Sequence, residues 1–331
     1  MNIANAISML RSVCSSDERQ MVIFLQGPPG CGKTAICEQV ALENNLPMLN
    51  FALPSCEAVD LRGLPQIVDG RTVWACPLPR DGRGMLVLDE IASSPADVQV
   101  AAHHVVHSQS GSDIRVGPAW HIVLTGNRAQ DKTHFRAMGS ALRNRLIMID
   151  IEPDVQSWVA WAQEHNINPL VTGFLRWRPE VLTAREIPGE GAFPSPRSWA
   201  AASRVLGLAV SASTESEMLR GAVGEGASIE LCAYLRTARE LPSISAIEAD
   251  QDGSPVPSSP SLLYALITCL SQYTRQTGNS LARFAARCPA EFTLLYIRDI
   301  AGRVSLKTDP DIRAWVAKHK KLFAADDGGV L

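Results

Sequence analysis

The chain has 331 residues, 46% of them apolar and 20% charged, with a formal net charge of −3. That length suggests about two domains, and the apolar share is enough for a sizeable core. The charge balance leaves no whole-chain basic footprint for nucleic acid, and no apolar run approaches the ~20 residues that a membrane helix needs.

The amino-terminal stretch MNIANAISMLRSVCSSDERQ reads as a short amphipathic helix followed by a polar turn. It lacks the basic start, long apolar block and small-residue cleavage site of a signal peptide. Eight cysteines stand at 14, 31, 37, 56, 76, 232, 269 and 288, with no C-x2-C pair and no zinc spacing. Free, mostly buried thiols in a reducing compartment are the plain reading. The expectation is a soluble, cytoplasmic protein without a membrane partner.

Residues 21–34, MVIFLQGPPGCGKT, then run from an apolar strand into a glycine-rich loop ending in Lys-Thr. The spacing Gly27-x4-Gly32-Lys33-Thr34 fits the phosphate-cradling loop of nucleotide-binding proteins. Glycines let the backbone approach phosphate, and the N–H groups opening the next helix point at the anion. Gly27, Pro28, Pro29, Gly30, Cys31, Gly32, Lys33, Thr34 and Ala35 are therefore the expected cofactor-binding set. Lys33 supplies a point charge for the β- and γ-phosphates, and the Thr34 hydroxyl is placed to ligate Mg²⁺. The chain is expected to bind a nucleoside triphosphate with Mg²⁺.

Strand-like runs at 21–26, 47–52, 84–89, 120–126 and 146–151 alternate with helical patterns at 33–45, 95–108 and 136–145. This alternation argues for an α/β fold with a parallel sheet and crossover helices. The stretch 54–82 is rich in Pro, Gly and Arg, with a small hairpin expected around Gln66–Trp74. A long irregular insertion of this kind inside an α/β core is more often functional than idle. After Pro153 the pattern turns helical, interrupted by turn residues at 186–197. A second break at 246–261 reads as an exposed linker or long loop. The helical pattern then resumes to Lys321, and AADDGGVL reads as a frayed end.

Hydrolysis requires more than a phosphate loop. Met85–Leu88 deliver Asp89 and Glu90 to the carboxyl edge of the sheet, where ligands bind in open α/β folds. Asp89 is expected in the Mg²⁺ shell and Glu90 as the general base that polarises water. The next strand ends in Thr125-Gly126-Asn127, whose amide is placed to orient that water. Arg143 and Arg145 stand near a helix carboxyl terminus, favourable on dipole grounds alone. The sharper reading is that one of them reaches a neighbouring subunit's γ-phosphate as an arginine finger. Arg197 opens a helix, where a cation is poorly placed unless an anion lies nearby.

GPPGCGKT, LVLDE, TGN, LRNRL and SPRSW, in that order, resemble the AAA+ ATPases, and within them the MoxR-like and dynein-related group. VDLRGLP (59–65) and WACPLPRDGRGMLVLDEI (74–91) resemble that group's segment between the second and third strands. The resemblance covers about 20 to 205. It implies a P-loop NTPase core with a five-stranded parallel sheet at 1–152 and an α-helical lid at 153–245, while the residue pattern, which the resemblance does not reach, gives a linker with a helical extension at 246–331. It implies Walker A at Gly27–Thr34, Walker B at Asp89 and Glu90, and sensor 1 at Asn127. Arg145 becomes the finger with Arg143 as the second candidate, and Arg197 becomes sensor 2. It further implies a homo-oligomeric ring, commonly of six, and a protein client, in this group often one with a von Willebrand A-type domain. Cys31 occupies a variable position, and Leu146 stands where an aromatic is common.

Other signals are weaker. His103, His104 and His107 have no third-ligand pattern and suit a surface or interface helix. Trp158, Trp161, Trp177 and Trp199 read as lid core, and AKHKK (317–321) as a solvated helix end. Asp60-Leu61-Arg62-Gly63 is either a plain turn or a pore- or client-facing element. The leading expectation is an oligomeric ATPase that remodels or activates a protein partner. The alternative is a motor or loader on nucleic acid, which lacks a helix-turn-helix or basic stripe here. A third reading is a non-hydrolysing nucleotide switch, against which Glu90 and the arginines speak.

Overall fold

The computed structural model describes residues 1–16, 21–107, 116–131, 135–301 and 309–319. The expected polar turn at 17–20, the end of the AKHKK segment and the final AADDGGVL lie outside the described residues. Contacts divide the chain into two units: Met1–Ser157 with Arg185–Ile187 and Ser195–Arg197, and Trp158–Ala184 with Pro188–Pro194 and Ser198–Leu331.

The first unit runs α1 (Ile3–Ser15), β1 (Val22–Gln26), α2 (Lys33–Glu43), β2 (Met48–Ala52), α3 (Ala58–Arg62), β3 (Leu64–Val68) and β4 (Arg71–Ala75). It continues through β5 (Gly84–Asp89), α4 (Ala96–His107), β6 (Trp120–Gly126), α5 (Ser140–Arg143) and β7 (Leu146–Asp150). Five strands form one parallel sheet in the order β2-β5-β6-β1-β7. Their bounds match the sequence expectation to within one residue.

The central strands carry apolar runs, Val22–Leu25, Met85–Leu88 and Ile122–Leu124, because both faces are covered. In β1, Ile23 and Leu25 pack with Ala6 and Leu10 of α1 and Ile36 and Val40 of α2. Val22 and Phe24 point the other way, into a cluster with Val98, Ala101 and Val105 of α4. β5 divides likewise, with Met85 and Val87 in the first cluster and Leu86 and Leu88 in the second. The helix bearing His103, His104 and His107 is thus held by its apolar face. β3 and β4 pair separately as an antiparallel hairpin with Gln66 opposite Val73. Asp69 and Gly70 turn it with φ of 52° and 71°, the pair of positive values that an Asp-Gly hairpin turn needs.

One expected helix is largely absent. Of 136–145, only Ser140–Arg143 is helical. The Arg136 N–H donates to Ala92 O at 2.7 Å, and the Gln99 side chain donates to Arg136 O at 3.5 Å. With the Arg136 backbone engaged by neighbouring elements, the segment has no regular structure before Ser140, where α5 begins after the N-cap Gly139.

The helices that follow are α6 (Val155–Glu164), α7 (Pro169–Trp177), α8 (Pro196–Leu206), α9 (Ala212–Val223), α10 (Glu225–Ala238) and α11 (Ile244–Ala249). Then come α12 (Pro260–Thr277), α13 (Ala282–Ala285), α14 (Ala290–Ile300) and α15 (Pro310–Lys318). α12 carries legible punctuation: Ser259 caps its start through the Leu262 N–H, and Gly278 ends it in the left-handed conformation. The second unit's core joins Ile247, Leu266, Leu270, Phe284, Tyr296 and Trp315. A bidentate ion pair ties α7 to α14, with Arg176 Nη1 and Nη2 each 2.6 Å from an Asp299 oxygen.

Trp158 and Trp199 are buried, whereas Trp161 and Trp177 are half-buried. The break at 246–261 is not a free linker. Ile247 of α11 is fully buried in the core, and Asp250 accepts from the Gly253 N–H at 2.7 Å to close a tight turn. Apolar Ile247 outweighs the polar residues around it. Among the described residues no helix is long and apolar enough to cross a membrane.

Candidate active site

β1 brings the chain to the carboxyl edge of the sheet, and the loop 27–32 returns it into α2 at Lys33. Gly32 makes this turn with φ of 96°, a left-handed value that a side chain resists. Gly30, with φ of 73°, lies against Ser195 and Arg197: an added Cβ would come 2.9 Å from Ser195 Oγ. The Arg197 N–H donates to Gly30 O at 3.2 Å, so residue 197 braces the loop through its backbone while its side chain is exposed.

Lys33 is buried, and its Nζ donates to Gly27 O at 2.9 Å, Pro28 O at 3.0 Å and Asn127 Oδ1 at 2.9 Å. Burial holds this amine below its ordinary value, opposed by Cys31, Asp131, Asp89 and Glu90 nearby. Burial likewise pushes the Cys31 thiol up, so it is a filler of the loop rather than a thiolate. The Thr34 hydroxyl lies 3.0 and 3.1 Å from the two Asp89 carboxylate oxygens. Ala35 is exposed on the first turn of α2.

Asp89 ends β5, and Glu90 follows with φ 59° and ψ 42°. That left-handed corner is unusual for a residue other than glycine, and it is a kind of backbone strain that collects at functional sites. The Thr125 hydroxyl touches Asp89 Oδ1 and accepts the Glu90 N–H at 3.1 Å. Asn127, one residue beyond β6, is 8% exposed and faces Lys33. Lys33, Thr34, Asp89 and Asn127, scattered over 94 positions of sequence, therefore converge, with Glu90 adjoining them.

The two arginines of LRNRL do not join this cluster. Leu146 pairs with Val22 at the opposite end of β1 from the loop, so Arg145 sits at the amino edge of the sheet. A five-residue strand spans ~16 Å at ~3.3 Å per residue, which separates it from the chain's own Lys33. Both Arg143 and Arg145 are exposed, and Arg145 Nη1 donates to Ala141 O at 2.7 Å.

Residue-by-residue reading missed Thr125, Arg128 and Asp131. Asp131 is 6% exposed and accepts from the Arg128 N–H at 2.8 Å and from Arg128 Nη2 at 3.0 Å. It also counts among the charges acting on Lys33. Thr125 had a signal: it is a hydroxyl residue inside an otherwise apolar, wholly buried strand end.

The donor set fits a magnesium nucleotide. A hydroxyl and a carboxylate converge at Thr34 and Asp89, and Mg²⁺ commonly takes one or two carboxylates together with substrate phosphates. No group of three or more His, Cys, Asp or Glu side chains placed to hold a metal ion occurs among the described residues.

Residues 23–106 match the family described as ATPase family associated with various cellular activities (AAA). The chain is 26% identical over 141 residues to Protein NorQ of Paracoccus denitrificans, covering 39% of this chain and 52% of that protein. It is 28% identical over 138 residues to Denitrification regulatory protein NirQ of Stutzerimonas stutzeri, covering 38% and 50%. The chain spans about half the length of the curated relatives it matches. Among solved structures, NtrX from Brucella abortus aligns with a TM-score of 0.41 and 16% identity, covering 89% of this chain and 67% of that one. That likeness is too loose to bear on function.

Proposed function

We propose that this chain, which carries an AAA ATPase domain and resembles the MoxR-like NorQ and NirQ proteins, hydrolyses ATP in an oligomer and uses the turnover to remodel or activate a protein partner. The observation that carries this reading is the convergence of Lys33, Thr34, Asp89 and Asn127 at the carboxyl edge of the sheet, with Glu90 beside them. In this reading the Gly27–Gly32 backbone and Lys33 hold the phosphates, and Thr34 with Asp89 holds Mg²⁺. Bound there, the ion neutralises the charge that develops on the phosphoryl oxygens.

Glu90 takes the proton of the attacking water, and Asn127 orients that water. Arg145, with Arg143 as the second candidate, completes the site of an adjacent subunit, which its place at the far edge of the sheet favours. A ring, commonly six-membered in this group, provides such interfaces. Arg197 acts as sensor 2 from beside Gly30. The client reading rests on the regulatory name of NirQ and on the group's pairing with von Willebrand A-type proteins.

The test is phosphate release by the purified chain and its Glu90→Gln variant. The wild type is expected to turn over ATP, while the variant binds it and loses on the order of 10²–10⁴-fold in rate, the range of general acid–base catalysis. A wild type that binds ATP without releasing phosphate would leave the nucleotide switch as the better reading.

A further inference from the structure

We propose that Thr125 is a positioning residue that locks the Asp89–Glu90 corner, so that the metal-holding carboxylate and the general base keep one fixed geometry. This inference rests on the ATPase reading above. Thr125 is fully buried at the end of β6. The register that sets Leu88 beside Leu124 places the next pair, Asp89 and Thr125, side by side. A hydroxyl offers one donor and two acceptor sites. Here the donor goes to Asp89 Oδ1, and an acceptor site takes the Glu90 N–H at 3.1 Å.

The second of these bonds explains the choice of residue. β5 stops at Asp89, while β6 runs on to Gly126. The backbone at Glu90 has turned into the left-handed region and left the ladder. A residue held in that conformation persists only where its surroundings over-determine it. The Thr125 oxygen replaces the lost ladder partner and, through the same atom, orients Asp89. Thr34 approaches that carboxylate as well, so Asp89 is gripped by two hydroxyls. Valine at 125 would keep the shape but strip Glu90 N–H and Asp89 Oδ1 of a partner, the costly half of breaking a buried hydrogen bond.

The experiment compares full-length wild type, Thr125→Val and Thr125→Ser. Binding of a fluorescent ATP analogue is titrated with and without Mg²⁺, and phosphate release is measured alongside. Thr125→Val is expected to bind the analogue without Mg²⁺ within about twofold of wild type. The Mg²⁺ concentration for half-maximal effect should rise about tenfold, and turnover should fall about 10–100-fold, as for outer-shell partners of metal ligands. Thr125→Ser, which keeps the oxygen, should restore most of both.

Three results overturn the assignment: Thr125→Val matching wild type in Mg²⁺ response, Thr125→Val losing Mg²⁺-free binding in parallel, or serine failing as badly as valine. If the wild type itself releases no phosphate, the ATPase reading fails. The Mg²⁺ dependence of binding then still decides the role of Thr125.

Discussion

Lys33 Nζ and Asn127 Oδ1 lie 2.9 Å apart, so the cation proposed to bind phosphate and the amide proposed to orient water hold each other. Each buried group thereby satisfies the other. Phosphate binding must draw Lys33 toward the anion and release Asn127 to its own task. Asn127→Ala is therefore expected to bind ATP no more weakly than wild type, while turnover falls about 10–100-fold. Isothermal titration beside a phosphate-release assay checks the split. A matched loss of affinity and rate would contradict it.

The position of Arg145 at the sheet's far edge predicts complementation. Arg145→Ala and Lys33→Ala should each be inactive alone. Mixed in equal amounts, about a quarter of head-to-tail interfaces pair an intact loop with an intact arginine. Activity should recover to that order. If the mixture stays as silent as its components, Arg145 does not act across the interface.

Lys33 carries a pH signature. Burial lowers its value from 10.5, so the charged form that phosphate needs is lost as pH rises through the lowered value. ATP affinity should decline with a midpoint below 10.5. Stability of the free protein should move the other way in that window, because the unfolded chain holds the proton more tightly. Nucleotide titrations from neutral pH to beyond 10.5, with thermal melts beside them, test both signs. A midpoint at or above the ordinary lysine value would rule the argument out.

Tyr234 is 3% exposed, stacked on Trp177 with centroids 5.9 Å apart, and its hydroxyl has no hydrogen-bond partner. A buried hydroxyl with no partner, as here among the described residues, costs about 1–3 kcal/mol, and phenylalanine keeps the ring contacts without it. Tyr234→Phe should leave stability unchanged or raise it by up to ~2 kcal/mol. Urea unfolding measures this, and a loss of more than about 1 kcal/mol would mean the hydroxyl is satisfied in solution.

Much of the first unit was legible along the chain. The runs Val22–Leu25, Met85–Leu88 and Ile122–Leu124 are apolar on every residue because both faces of the sheet are covered, and such runs mark strands without alternation. The glycines before Lys33 marked the loop because left-handed backbone leaves few alternatives to glycine. Where local signals conflicted with packing, the reading slipped. Residues 136–139 had a helical look but bond to neighbouring elements through Arg136. Residues 246–261 read as an exposed linker or a long loop; 250–259 are a loop, but Ile247 of α11 is delivered to the core.

By itself the sequence determined the kind of site: a phosphate loop, two acids after a strand, an amide after the next, and arginines before the last. These are local patterns of backbone permission and strand ending, which neighbouring residues dictate. Only the tertiary structure decided which of these groups meet. Strand register puts Asp89 beside Thr125, the order of strands carries Asn127 to Lys33, and the length of β1 holds Arg145 away from both. Those relations come from pairing across dozens of residues, where distance along the chain bears no relation to distance in space.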